Sequence, residues 1–193
     1  MRTPPFVPDV RRRRLLAAGA ALAWPLPGRA DDGALAALRA GGCVAAFRHA
    51  NAPGTFDPPG FRLGSCETQR NLDDAGRAQA RRLGAWFRTH GLTPAAVRSS
   101  PWCRCLDTAR LAFGAAEAWP ALGSPRGADT PADQTDTLRR ALAGLPAGRF
   151  EVWVSHQFTL SALAGRGTAA GEGLVLAATP GGAVRVLATL PAA

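Results

Sequence analysis

Apolar residues along this chain gather in short runs separated by stretches of helical period. Cys43 to Arg48, Ala95 to Arg98 and Phe150 to Ser155 are nearly continuous rather than alternating, the pattern of strands buried on both faces of a parallel sheet. Gly173 to Ala178 and Ala183 to Leu190 flank Pro180-Gly181-Gly182 and predict a hairpin, hence one antiparallel edge strand. Leu72, Gly76, Ala80, Leu83 and Phe87 recur at helical spacing behind Asp73, a good N-cap, and Gly91 ends that helix. Ser100-Pro101 reads as the start of a second helix, with Ser as N-cap and Pro at the first helical position, running to Phe113. Shorter helices are predicted over Asp32 to Arg39, Thr135 to Leu145 and Phe158 to Leu163. Two long loops, Ala50 to Asn71 and Gly114 to Gln134, are of the length that usually carries function in a compact domain. Strands alternating with helices predict an α/β domain with a mostly parallel sheet covered on both sides.

Composition changes this picture mainly at the N-terminus. The chain has 193 residues and 47% hydrophobic content, enough for one domain with its own core. All 23 basic residues are Arg, and the formal charge is +9. Residues 1–30 hold Arg2, Arg11 to Arg14 and Arg29 against the single acid Asp9; without them 17 Arg face 13 acids, a net +4. That residual charge, scattered along helices, does not make a nucleic-acid footprint.

The same thirty residues have the parts of an export signal: an Arg run, the apolar stretch Leu15 to Pro27, and small residues at Gly28 and Ala30 before Asp31-Asp32. Arg13-Arg14-Leu15-Leu16 resembles a twin-arginine signal. The apolar stretch is short for a membrane span. The expected organisation is therefore a leader over 1–30, cleaved near Ala30, and a periplasmic domain over 31–193 with no stable membrane insertion after cleavage.

In an open parallel sheet, ligands bind beyond the carboxyl ends of the strands. Three of the predicted strands end there in chemically useful residues: Arg48-His49, Ser99-Ser100 and Ser155-His156. Arg104 follows in the first turn of a helix, where unpaired backbone amides add to the attraction for an anion. Arg supplies planar paired donors that stay charged at any working pH, so Arg48 and Arg104 suit a phosphoryl group. A neutral imidazole is a competent nucleophile toward phosphorus, and either His49 or His156 qualifies on chemistry alone. In an oxidising compartment, Cys66 and Cys103, which both precede helices expected to converge on this pocket, form the predicted disulfide; Cys43 reads as a buried apolar residue. The cysteine spacing shows no metal pattern.

The order Phe47-Arg48-His49, Asn71-Leu72-Asp73-Asp74-Ala75-Gly76-Arg77-Ala78-Gln79-Ala80, Ser99-Ser100-Pro101-Trp102-Cys103-Arg104-Cys105-Leu106-Asp107-Thr108-Ala109 and Ser155-His156 resembles the histidine phosphatase superfamily, whose fold is phosphoglycerate mutase-like. The resemblance implies a three-layer α/β/α sandwich, His49 as the phosphorylated residue, Arg48 and Arg104 as phosphate ligands, His156 completing the pocket, and no metal or organic cofactor. The implied activity is hydrolysis of small-molecule or glycan phosphomonoesters, with a non-catalytic phosphate or phospho-glycan binding protein as the alternative. The chain departs from the pattern at two positions. Ala50 replaces the usual Gly after Arg-His, and Gln157 stands where one branch has an acid after its second His. The proton donor is left open among Asp57, Glu117, Asp129 and Asp133, and Arg62, Arg70 and Arg126 are loop charges able to meet an anionic remainder of the substrate.

Overall fold

The computed structural model of the protein describes Met1 and residues 29–125 and 129–192. The expected leader over 1–30 lies, apart from its ends, outside the described residues, and so does Arg126. No helix among the described residues is long and apolar enough to cross a membrane.

A six-stranded sheet is ordered β3-β2-β4-β1-β5-β6, with β1 Cys43–Arg48, β2 Ala96–Ser99, β3 Glu117–Ala118, β4 Phe150–Ser155, β5 Gly173–Ala178 and β6 Val184–Leu190. Strands β1 to β4 pair in parallel, while β5 runs antiparallel to both β1 and β6. The reversed strand expected at the edge thus sits one place in, because the hairpin brings β6 back in the common direction on the outside. The short strand β3 falls inside what the pattern presented as the loop from Gly114 to Gln134; two exposed residues carry no periodicity to detect.

The continuous apolar runs are explained by two cores. Side chains alternate across a strand, so Cys43, Ala45 and Phe47 of β1 enter one cluster while Val44 and Ala46 enter the other. The first cluster is covered by α1 Arg29–Ala40, α2 Asp74–Thr89 and α3 Cys103–Phe113, through Leu38, Leu83, Phe87 and Ala109. The second is covered by α4 Ala132–Ala143 and α5 Gln157–Ala164, through Leu138, Leu142, Leu160 and Leu163. The result is the three-layer α/β/α sandwich.

Helix α2 starts as expected, with the Asp73 carboxylate accepting from the Gly76 amide at 2.7 Å. Helix α3 does not. It begins at Cys103 with Trp102 at the N-cap position, and Ser100-Pro101 stay outside it; the Ser100 hydroxyl accepts from the Trp102 amide at 3.3 Å and shares a hydrogen bond with a histidine. Helices α1 and α4 each begin three residues before their predicted starts.

Candidate active site

Strand register creates the site. Arg48 lies opposite Ser155, and Ser99 opposite Val154, so His49, Ser100 and His156 leave the sheet together at one edge. The His49 amide donates to Ser155 O at 2.9 Å and the Ser100 amide to Val154 O at 2.8 Å, which extends the ladder one step past each strand. The two imidazoles face each other edge to face, with ring centroids 5.5 Å apart. They open on a cleft of about 740 Å³ that also receives Arg48, Asp57, Arg70 and Arg104.

The tautomer of His49 follows from its neighbour. Its Nδ1 is 2.8 Å from Ala50 O, and a carbonyl can only accept, so Nδ1 carries the proton and Nε2 keeps its lone pair. Burial pushes the imidazole down to about 3, the charges of Arg104, Arg70 and Arg48 acting in the same direction. His49 is therefore a neutral, nucleophile-competent ring at any ordinary pH. His156 is likewise held well below its usual range by burial and then by Arg104. Its Nε2 shares a hydrogen bond of 2.8 Å with Ser100 Oγ and lies 3.5 Å from the Cys105 thiol, which burial pushes up to about 12.

Ala50, the replacement for Gly, fits without strain, since among the described residues no non-glycine residue has positive φ. Its amide donates to Thr108 Oγ1 at 3.0 Å while that hydroxyl donates to Arg104 O at 2.7 Å, tying the turn after His49 to α3. Thr108 belongs to the motif, but its role is visible only in these bonds.

The cations are arranged around this pair. Arg48 donates to Gln157 Oε1 at 2.9 Å and to Thr168 O at 3.0 Å. Arg104, nearly buried, donates to Asp57 Oδ1 at 2.7 Å. Arg70 donates to Ala52 O and Gly54 O at 2.5 and 2.6 Å, bracing the loop from Ala50 to Asn71. The Nε–H groups of Arg48, Arg70 and Arg104 are all buried with no partner among the described residues. Buried donors in this state are rare in folded proteins. The three guanidinium side chains line one cleft and give it the cationic character an oxyanion would meet. Among the described residues, three guanidiniums and one carboxylate line the cleft, so that with both histidines neutral two positive charges remain, matching a phosphomonoester dianion.

Asp57 is placed as an anchor and not as an acid. Burial would raise its carboxyl, but the Arg70 amide, the Arg104 guanidinium and Trp102 Nε1 together hold it below the usual carboxylate range. Glu117 is exposed on β3 beside Arg98, and Asp129 and Asp133 are exposed near the start of α4; none of them lines the cleft. Arg62 sits out on the loop near Glu67, at 4.0 Å, and does not line the cleft either. Arg70 was one of three equivalent loop charges in the sequence, and nothing there singled it out. Among the described residues, no group of three or more His, Cys, Asp or Glu is placed to hold a metal ion.

The predicted bridge Cys66–Cys103 is present and joins the long loop to the first residue of α3. Beside it, the Cys103 amide donates to Gln69 Oε1 at 3.0 Å and Phe61 stacks on Trp102 at 5.6 Å. The bridge closes a loop across 37 residues, for which chain-entropy arguments give about 3–4 kcal/mol. Reduction, or Cys66→Ser with Cys103→Ser, should lower the melting temperature by roughly 10 °C. Phosphate protection should weaken in parallel, because Asp57 and Arg70 are held on that loop; calorimetry with and without phosphate reads both effects.

Comparison with solved structures shows how widely this arrangement of strands and helices is shared. The structure of the protein histidine phosphatase SixA complexed with tungstate superposes with a TM-score of 0.56 at 18% identity, covering 77% of this chain and 96% of that one. The open reading frame Rv3214 from Mycobacterium tuberculosis gives 0.53 at 19%, covering 75% and 94%. The mycobacterial glucosyl-3-phosphoglycerate phosphatase Rv2419c gives 0.54 at 15%, covering 76% and 97%. These likenesses establish a common fold. No curated protein matches the chain by sequence. The stretch from Arg48 to Gly123, which holds His49, Arg70 and Arg104, matches the sequence model of the histidine phosphatase superfamily (branch 1).

Proposed function

We propose that this protein is an exported, metal-independent phosphatase of the histidine phosphatase superfamily. It removes the phosphoryl group of a phosphomonoester through a phosphohistidine intermediate on His49. The observation that carries the reading is the His49 tautomer, with Nδ1–H committed to Ala50 O and Nε2 left without a hydrogen-bond partner among the described residues, in a cleft lined by Arg48, Arg70 and Arg104. In the first step the Nε2 lone pair attacks phosphorus and the P–O bond to the leaving group breaks. Arg48, Arg70 and Arg104 stabilise the charge on the equatorial oxygens, and His156 lines the pocket edge to face with His49. Water then attacks phosphorus, a P–O bond forms as the P–N bond breaks, and inorganic phosphate and the neutral imidazole are released.

Incubation with para-nitrophenyl phosphate followed by an alkaline quench should leave an acid-labile phosphoryl group on His49, detectable by mass spectrometry. Turnover without that adduct, equal in wild type and His49→Ala, would show that His49 is not the nucleophile.

A non-catalytic phosphate or phospho-glycan binding protein on the same fold is the second reading. It is favoured by one observation: among the described residues Asp57 is the only carboxylate lining the cleft, and it is taken by Arg104. Phosphate or vanadate raising the melting temperature, with no release from any ester, would select it.

Export rests on the Arg run and apolar stretch before Ala30, and the Cys66–Cys103 bridge supports an oxidising compartment. A periplasmic protein whose N-terminus lies near Asp31 is the expected product; a full-length cytoplasmic chain would oppose it.

A further inference from the structure

Apart from the N-terminal methionine, only three large apolar side chains among the described residues are strongly exposed: Phe56 at 81%, Phe158 at 54% and Leu63 at 47%. All three line the mouth of the cleft that holds His49. Phe56 and Leu63 come from the long loop and Phe158 from the first turn of α5, so separate elements converge on one apolar rim. Below them, Phe61 lies stacked on Trp102, whose ring meets His156 edge to face at 5.2 Å. The cleft is thus apolar and aromatic at its mouth and cationic at its base. Large apolar side chains exposed together on a soluble protein mark a binding surface.

A second, separate observation concerns the leaving group. Asp57, the one carboxylate that lines the cleft among the described residues, accepts from Arg104, Arg70 and Trp102 and is held in its charged form. An alkoxide leaving from a sugar or alkyl ester needs a proton from a nearby acid, whereas an aryl oxide leaves with little protonation.

We infer that the substrates of this site are aryl phosphomonoesters, their ring held by Phe56 and Phe158 while the phosphoryl group enters the arginine base. This rests on the phosphatase reading above and specifies its substrate class. The step balances simply: His49 Nε2 forms a bond to phosphorus, the P–O(aryl) bond breaks with its electron pair on oxygen, and the aryl oxide takes a proton from solvent. Water then cleaves the P–N bond, so that an aryl phosphate and water become a phenol and inorganic phosphate.

The test compares phenyl phosphate with ethyl phosphate in wild type, Phe56→Ala and Phe158→Ala. Both side chains are exposed, so folding is little affected. Losing one aromatic contact should lower kcat/KM for phenyl phosphate roughly tenfold and leave ethyl phosphate within about twofold. Equal loss on both substrates, or none, overturns the proposal while leaving the phosphatase reading intact. If neither ester is hydrolysed, the phosphatase reading fails, and the rim is judged by binding alone: phenylphosphonate should raise the melting temperature more than methylphosphonate, and an equal shift overturns the inference. A phosphotyrosyl peptide turned over faster than phenyl phosphate supports the proposal and assigns a polypeptide source. The reverse order supports it with a free small molecule as the source.

Discussion

Replacement of His49 by alanine is expected to lower kcat for an aryl phosphate by roughly 10⁴-fold or more, the scale found when a covalent nucleophile is removed. Bound phosphate should survive the change, because Arg48, Arg70 and Arg104 stay in place. The same variant should be more stable than wild type in acid. Burial holds the native imidazole at about 3, whereas an unfolded chain takes up a proton near 6.5. Stability from the neutral ring is therefore complete above pH 6.5 and is lost as pH falls from there toward 3. Linkage makes this about 3 kcal/mol at pH 4. Chemical denaturation of wild type and His49→Ala at pH 7.5 and pH 4 would show the two curves diverging in the alanine variant's favour. If the gap did not change with pH, His49 would not be held neutral.

A second large effect is expected from Arg104→Ala. Removing one fixed donor to the transition-state oxygens lowers kcat/KM by roughly 10²–10³-fold. It also strands the Asp57 carboxylate, whose side chain is only 17% exposed, at a cost of about 3 kcal/mol. Arg104→Lys separates the two roles. A point charge can still neutralise Asp57, but it cannot span Asp57 and a phosphoryl oxygen with a planar fork. The lysine variant should therefore recover most of the melting temperature and little of the rate. Recovery of both would mean that Arg104 acts only as a charge.

His49, Ser100 and His156 could be found from sequence because strand ends are legible. An unbroken apolar run stops where the chain leaves the sheet, and in a parallel sheet all such stops share one edge. The register of Arg48 against Ser155 and Ser99 against Val154 is the structural form of that rule. Helix α2 was legible for a similar local reason, its cap and stripe being contiguous. The start of α3 was misread because the Ser100 hydroxyl serves both the Trp102 amide just ahead of the helix and His156, and the second partner lies 56 positions away.

The roles of Asp57 and Arg70 were not legible in the same way. Both lie in a loop without periodicity, where every charge looks alike. Asp57 resembled a proton donor until its partners were visible, and Arg70 was one loop cation among three. Their fates depend on Arg104, Trp102 and the Ala52 and Gly54 carbonyls, contacts that the Cys66–Cys103 bridge helps to hold. The clustering of Phe56, Leu63 and Phe158 on one rim was equally invisible, since α5 and the loop are about a hundred residues apart.

Sequence by itself determined the layered α/β fold, the edge at which the chemistry sits and the two histidines and two arginines that reach it. Periodic burial writes these into the order of residues. Tertiary structure alone decided which tautomer His49 adopts, that Asp57 serves as an anchor, that Arg70 is a third cation and that the mouth of the cleft is aromatic. Each of those depends on which distant groups share a hydrogen bond or a wall, and loop conformation sets that.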